Sequence, residues 1–450
     1  MGNWISQKIK GLETFAFKRR GKNIANRSDP NHPENCSPDQ SITTTNVEQI
    51  PTSQSVLLPT TTNSSVTNPT VEATKSQIEE LAAPKIKVTM TSSNKCSDLY
   101  LACRNNKITE VENLLEKIER QDIDRVEPNG STALHAASYH GHVEIVKLLL
   151  EAGADRTIQN KYNNLPFDEA KNDEIKKLFF RIPTSSRLVS DTGAVEWQLI
   201  DDDDILDKAA EERKIIKSLY STNSIAKMFE RIEKNYISKS LVHFNRIEQI
   251  KRFFRRAIEE ENPLWIIKAY TAETDFYKVF NKELAGGGNK CLSERRYIIA
   301  LLSHHPKLDE FSFIGMSYRT MQMTDDDLRK YQVGCSLMTK SFLSSSIEEK
   351  LAVLFLYQQE LARKESGEND RLKSDGKKIK QWVMCTYQIK HRRTALYIEN
   401  TSQYAMEGEI LIMPYTVFRV KKMESVKRPE LSDEDFPTIE LEECDQYLDI

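Results

Sequence analysis

Most marks of a secreted, membrane-spanning or metal-dependent protein are missing from this chain. Its seven cysteines (Cys36, Cys96, Cys103, Cys291, Cys335, Cys385, Cys444) are odd in number and include no C-x-x-C pair. That argues against a disulfide framework or a zinc site and fits a reducing compartment, so no metal is expected. No apolar run approaches the ~18 residues that span a bilayer. The N-terminus has no apolar stretch of the signal-peptide kind, and an intracellular, cytoplasmic protein is expected. An excess of one charge is lacking too. A formal net charge of −3 over 450 residues suggests neither a nucleic-acid binder nor an acidic-tail protein. What remains is a soluble chain of two or three domains.

The first 95 residues read as a disordered arm. Met1-Gly2-Asn3-Trp4-Ile5-Ser6 matches the pattern for myristoylation of Gly2. One acyl chain holds a membrane only marginally, and a second signal is present. Residues 1–28 carry Lys8, Lys10, Lys18, Arg19, Arg20, Lys22 and Arg27 against the single acid Glu13. Such a segment favours an anionic surface, placing the protein at the inner face of a membrane; the plain alternative is a basic tail. From about Ser37 to Ser93, Ser, Thr, Pro and Asn dominate, too polar to offset the entropy of ordering.

Self-similarity begins at Cys96. Asn129-Gly130-Ser131-Thr132-Ala133-Leu134-His135-Ala136-Ala137 leads into Val143, Ile145, Val146, Leu148 and Leu149, and Leu101-Ala102-Cys103 through Leu114-Leu115 echoes it 34 residues earlier. Lys107 stands where the later unit has Gly141, and Asn164 to Phe179 starts a truncated third unit. These units resemble ankyrin repeats over 96–181. The resemblance implies that Thr132 and His135 brace a turn, and that the module binds a protein partner and contains no chemistry. His135, His140 and His142 are then structural residues and not metal ligands.

A linker at 182–192 precedes one domain over 193–445, with a short tail at 446–450. Its first half shows helical periodicity over Ile205–Tyr220, Ser224–Tyr236 and Ile247–Glu261. Asp201–Asp204 suits the entry to the first of these helices. Lys251-Arg252-Phe253-Phe254-Arg255-Arg256 suits an amphipathic helix with its aromatics in the core, and Gly286-Gly287-Gly288 suits a link between helices. The second half has strand-like runs at Phe311–Tyr318, Lys340–Leu343, Gln381–Ile389, Glu409–Met413, Thr416–Val420 and Thr438–Leu441. Helices followed by a mostly antiparallel sheet make an α+β domain.

Three motifs fall at predicted strand ends: Tyr318-Arg319-Thr320, Ser344-Ser345-Ser346 and Glu407-Gly408-Glu409. In extended backbone Glu407 and Glu409 would share a face. Ala269-Tyr270-Thr271, Phe276-Tyr277, Asn281, Leu284, Ser402, Tyr404, Pro414 and Phe418-Arg419-Val420 follow in order around them. The ordered set resembles the R-S-E class of mono-ADP-ribosyltransferases, related to cholera-type toxins, in its arginine-modifying branch, over Trp197 to about Asp445. That resemblance implies a mixed, mostly antiparallel β-sandwich after the helices and NAD as co-substrate.

It also implies roles for the residues. Arg319 would hold the diphosphate or adjoining ribose with its forked donors, beside Thr320. Ser344 would bind the nicotinamide ribose, with Ser346 in support. Glu409 would oppose the developing oxocarbenium ion, and Glu407 would engage the acceptor arginine. Thr320 stands where many members have Gly, and the middle Ser345 replaces a Thr. The implied activity is transfer of ADP-ribose from NAD to arginine of a protein, with the repeats docking that partner. NAD glycohydrolase activity and an inactive membrane-tethered ankyrin adaptor remain as alternatives.

Overall fold

A computed structural model describes residues 95–117, 122–181, 189–190, 197–200, 204–244, 246–286, 292–367, 379–428 and 432–445. The arm through residue 94, with Gly2 and its basic stretch, lies outside the described residues, as do Gly287, Gly288, Asp201 to Asp203 and the tail 446–450.

The repeat segment supplies α1 (Asp98–Arg104), α2 (Ile108–Lys117), α3 (Ala133–His140), α4 (Val143–Glu151) and α5 (Asp173–Leu178). Side-chain caps set three of these starts. Ser97 caps α1, Thr132 caps α3 in a reciprocal box with His135, and Asn172 caps α5. Gly141, at φ 88°, closes α3 in the left-handed conformation that favours glycine. Ile145, Val146 and Leu149 of α4 are fully buried, matching the apolar stripe read from the sequence.

Next come α6 (Ile205–Thr222), α7 (Ile225–Arg231, continued by a π-turn to Ile237), α8 (Ile247–Glu259), α9 (Leu264–Thr271), α10 (Phe276–Ala285) and α11 (Leu292–His304). On α8, Ile250, Phe253 and Phe254 enter the core as expected. Arg252 of the same helix is buried as well, 3.4 Å from Asp124 of the repeat module. Short α12 (Asp325–Leu328) and long α13 (Glu349–Glu365) lie among the strands.

The strands are β1 (Val189–Ser190), β2 (Trp197–Ile200), β3 (Gly315–Thr324), β4 (Ser336–Thr339), β5 (Leu343–Ser346), β6 (Lys380–Ile389), β7 (Ala395–Tyr397), β8 (Glu409–Ile412), β9 (Val417–Arg428) and β10 (Ser432–Glu443). They pair in the order β2-β4-β9-β10-β6-β3-β5-β8-β7, with β1 on β3. The pairs are antiparallel except β1 with β3 and β6 with β10. The mostly antiparallel expectation holds; the hydrogen bonding runs as one continuous sheet.

Several boundaries differ from the sequence reading. The first long strand starts at Gly315 rather than Phe311, because Pro306–Phe311 forms a 3-10 turn with proline at its start. The strand also runs on past Tyr318 to Thr324, so Arg319 sits mid-strand and not at a strand end. The strand expected at Lys340–Leu343 is β5 at Leu343–Ser346, which the serine triplet closes, and the following helix starts at Glu349 rather than Ile347. The stretch read as a linker contributes β1, whose Val189 pairs with Thr320.

The repeat module and the rest of the chain share a core. Leu149, Phe167, Ile175 and Phe179 cluster with Leu351, Leu354 and Tyr357 of α13 and with Met406. The opposite face of the sheet has its own cluster, including Met321, Leu343, Cys385, Tyr387, Ile410 and Ile412.

Candidate active site

Strand register assembles most of the predicted residues. Ser346 faces Glu409 across β5 and β8, Ser344 faces Leu411, and Tyr318 faces Ser346 across β3 and β5. Opposite residues in an antiparallel pair share a face, so Ser344, Ser346 and Glu409 stand together, with Thr320 on the same side of β3. Glu409 is fully buried, and its Oε2 lies 3.5 Å from Ser402 Oγ.

The same alternation sends Arg319 to the other face. It pairs with Cys385, and its guanidinium lies within electrostatic reach of Cys385 and Tyr387 while donating to the carbonyl of Ser344. The expectation that Arg319 joins Ser344 and Glu409 is thus not met in this structure: one residue of register reverses a side chain. Burial, only partly offset by a hydrogen bond with Tyr387 and by the Arg319 charge, pushes the Cys385 thiol up to about 12. Thr320 has its hydroxyl engaged, donating to the Ala352 carbonyl of α13 at 3.2 Å.

Glu407 departs from its expected geometry too. It ends a 3-10 turn (Ala405–Glu407), and Gly408 then adopts φ 54° and ψ 43°. The backbone between the two carboxylates is therefore not extended, and their positions follow from a left-handed glycine rather than strand alternation. Ser346 braces the turn: its hydroxyl donates to the Glu407 carbonyl at 2.9 Å and accepts from the Glu348 N–H at 3.3 Å.

What Glu407 holds is an arginine of the chain itself. Arg181, just past α5, donates from Nε to Oε1 at 2.7 Å and from Nη2 to Oε2 at 3.0 Å. Its Nη1 donates to Glu273 Oε2 at 2.9 Å, and Nη1 and Nη2 each lie 3.3 Å from the Thr271 carbonyl oxygen. The guanidinium carbon stands 3.9 Å from the centroid of the Tyr404 ring. Burial pulls the guanidinium pKa down, but the charge and hydrogen bonds of Glu407 outweigh it and hold the group well above its ordinary value. Sequence reasoning missed Arg181, Glu273 and Tyr404 as a group. Nothing local marks Arg181, which follows the apolar end of a repeat, and only Tyr404 stood near a motif.

The loop Ser402–Glu407 is gripped from two sides. Gln403 N–H donates to Thr271 Oγ1 at 3.0 Å, and Gln403 Nε2 donates to Asp155 Oδ1 at 2.8 Å. Two cavities border it: one of about 10 Å³, lined in part by Phe179, Arg181, Leu354, Tyr404 and Glu407, and one of about 20 Å³ near Arg156, Phe167 and Met406. Each has room for about one water.

Among the described residues no group of three or more His, Cys, Asp or Glu side chains is placed to hold a metal, and no helix is long and apolar enough to cross a membrane. His135 braces the repeat turn as expected. Its Nδ1 lies 2.8 Å from Thr132 Oγ1 and its Nε2 lies 3.1 Å from the Asn164 carbonyl oxygen.

Comparison with known proteins agrees on the repeats. Residues 68–160 match the family described as ankyrin repeats, in three copies. That match starts upstream of the expected Cys96 and stops before the truncated third unit. The chain is 34% identical over 101 residues to human oxysterol-binding protein-related protein 1, covering 22% of this chain and 11% of that protein. It is 52% identical over 50 residues to human ankyrin repeat domain-containing protein 29, covering 11% of this chain and 17% of that one. The chain thus spans under a fifth of the length of either relative.

Similar solved structures include the Vis toxin, an ADP-ribosyltransferase from Vibrio splendidus, 15% identical with a TM-score of 0.25, covering 56% of this chain and 91% of that one. Another is the ADP-ribosyltransferase HopU1 of Pseudomonas syringae pv. Tomato, 14% identical with a TM-score of 0.30, covering 52% and 97%.

Proposed function

We propose that this chain is an NAD-dependent mono-ADP-ribosyltransferase that modifies arginine of a protein acceptor. One observation carries the reading: Glu407 grips a guanidinium with both carboxylate oxygens, two residues from a buried Glu409 that shares a strand face with Ser344 and Ser346. The ordered motifs of the sequence support it.

In this reading the bond between the nicotinamide nitrogen and ribose C1′ breaks, its electron pair leaving with neutral nicotinamide. Glu409 hydrogen-bonds a ribose hydroxyl and sets negative charge against the oxocarbenium ion, while Ser344 orients the ribose. An acceptor arginine nitrogen then bonds C1′ and gives its proton to Glu407. Ser346 positions Glu407 through the carbonyl that it already holds. The diphosphate role expected of Arg319 does not fit its place on the far face, and Arg319 acts as a positioning residue that anchors β5 at Ser344. A dinucleotide needs on the order of several hundred Å³, so NAD entry requires Tyr404–Glu407 to part from Phe179–Arg181.

The repeats would dock a protein partner through surfaces not packed on the catalytic part. The arm with Gly2 would bring the activity to the inner face of a membrane. NAD hydrolysis is the second reading, favoured by Arg181 filling the place of an outside arginine.

The test is labelled NAD with agmatine as acceptor, given to wild type, Arg181→Lys and Glu409→Gln. Label on agmatine, lost in Glu409→Gln by about 100–1,000-fold, supports transfer. Nicotinamide release without labelled agmatine would establish the hydrolase. No release by wild type or Arg181→Lys would leave the inactive adaptor.

A further inference from the structure

The surroundings of Arg181 are built for a guanidinium rather than for positive charge in general. Glu407 meets Nε and Nη2 in parallel, Glu273 meets Nη1, the Thr271 carbonyl lies against both Nη atoms, and the Tyr404 ring lies against the guanidinium carbon. A forked carboxylate contact and an aromatic ring near the planar group distinguish a guanidinium from an ammonium. Arg181 and Glu407 are both nearly excluded from water. Holding the repeat module in place does not account for so specific a fit, because Lys268 with Asp155 and Arg252 with Asp124 already tie it down.

We propose that Arg181 is an internal occupant of the acceptor-arginine subsite, and that Glu273 and Tyr404 join Glu407 in selecting a guanidinium. The regulatory consequence rests on the arginine-transfer reading; the binding half stands on geometry alone. With Arg181 seated, an outside arginine has to displace it before reaching Glu407. Arg181 lies two residues after Phe179, which packs on Phe167 of the repeats at 5.9 Å between ring centroids. The repeat module therefore carries the plug, and a partner that shifts the module shifts access to the subsite.

The experiment measures thermal stability of full-length Arg181→Ala with agmatine, using butane-1,4-diamine as the control that keeps an ammonium but has no guanidinium. Agmatine is expected to raise the Tm of Arg181→Ala by several degrees, with little effect on wild type and none from the diamine. The shift should vanish in Arg181→Ala with Glu407→Gln, and agmatine affinity should fall about tenfold in Arg181→Ala with Glu273→Gln. If Arg181→Ala does not fold even with agmatine, Arg181→Lys, which keeps the charge without the fork, is measured the same way and decides the matter. Absence of an agmatine-specific shift in the variant that folds overturns the proposal. In activity assays, Arg181→Lys should lower the KM for agmatine about tenfold. A variant that binds agmatine yet releases nicotinamide without labelling it would overturn the transferase reading and leave the subsite standing.

Discussion

Asp155, just beyond α4, and Lys268 of α9 form an ion pair 2.7 Å long from which water is excluded on both sides. The pair ties the repeat module to the helical half of the domain and, through Gln403, to the loop that ends at Glu407. Burial alone would raise the Asp155 carboxyl; the charge and hydrogen bond of Lys268, with a hydrogen bond from Gln403, hold it well below the usual range.

Lys268→Met strands that carboxylate in the interior. The expected loss is about 3–5 kcal/mol in urea unfolding at pH 7. Because the wild-type carboxyl is depressed and burial alone would raise it in the variant, the difference from wild type is complete only above the ordinary carboxylate range and fades as pH falls through it. A variant no less stable than wild type at pH 7 would show that the pair carries nothing.

His135 gives a second pH dependence, at a higher range. Burial lowers its pKa to about 4, outweighing the Asn164 carbonyl and the Asp168 charge, which favour the second ring proton. Its contribution is whole above about pH 6.5 and is lost as pH falls toward 4, on the order of 3 kcal/mol. The stability margin of wild type over His135→Gln should narrow across that window. A margin that stays constant would rule out the neutral, tautomer-specific role.

Arg319→Lys keeps a charge on the core face but loses the Nη1–H bond to the Ser344 carbonyl. Denaturant unfolding should show a loss of about 1.5–3 kcal/mol, and kcat should fall as β5 loosens. A large rise in the KM for NAD with unchanged stability would instead return Arg319 to direct contact with the dinucleotide.

Gly408→Ala puts a Cβ on a residue at φ 54°. The strain is about 1–2 kcal/mol, and relieving it would rotate Glu407 away from Glu409. Agmatine transfer should fall further than nicotinamide release. Equal falls would mean that the turn sets both carboxylates alike.

Part of the site was legible locally. Glu409 before Ile410-Leu411-Ile412 read correctly as a strand start, and Thr132 with His135 read correctly as a turn brace. Ser344–Ser346 was harder: the strand was expected to stop at Leu343, yet these three polar residues complete β5, buried against neighbouring strands. Helix α9 is buried throughout its length and so shows no amphipathic stripe. Strands β9 and β10 outran their expected lengths because Lys421, Lys422 and Glu424 are exposed, beyond the core pattern that reveals a strand.

The sequence by itself determined the repeat units, the amphipathic helices of the third segment and the order of its motifs. Their signals are caps, periodicities and spacings that operate within a few tens of residues. Only the tertiary structure decided which face of β3 carries Arg319 and what Glu407 holds. The first depends on strand register, where a slip of one residue reverses every side chain. The second joins residues 226 positions apart, through packing of the repeats on α13 that no local pattern encodes.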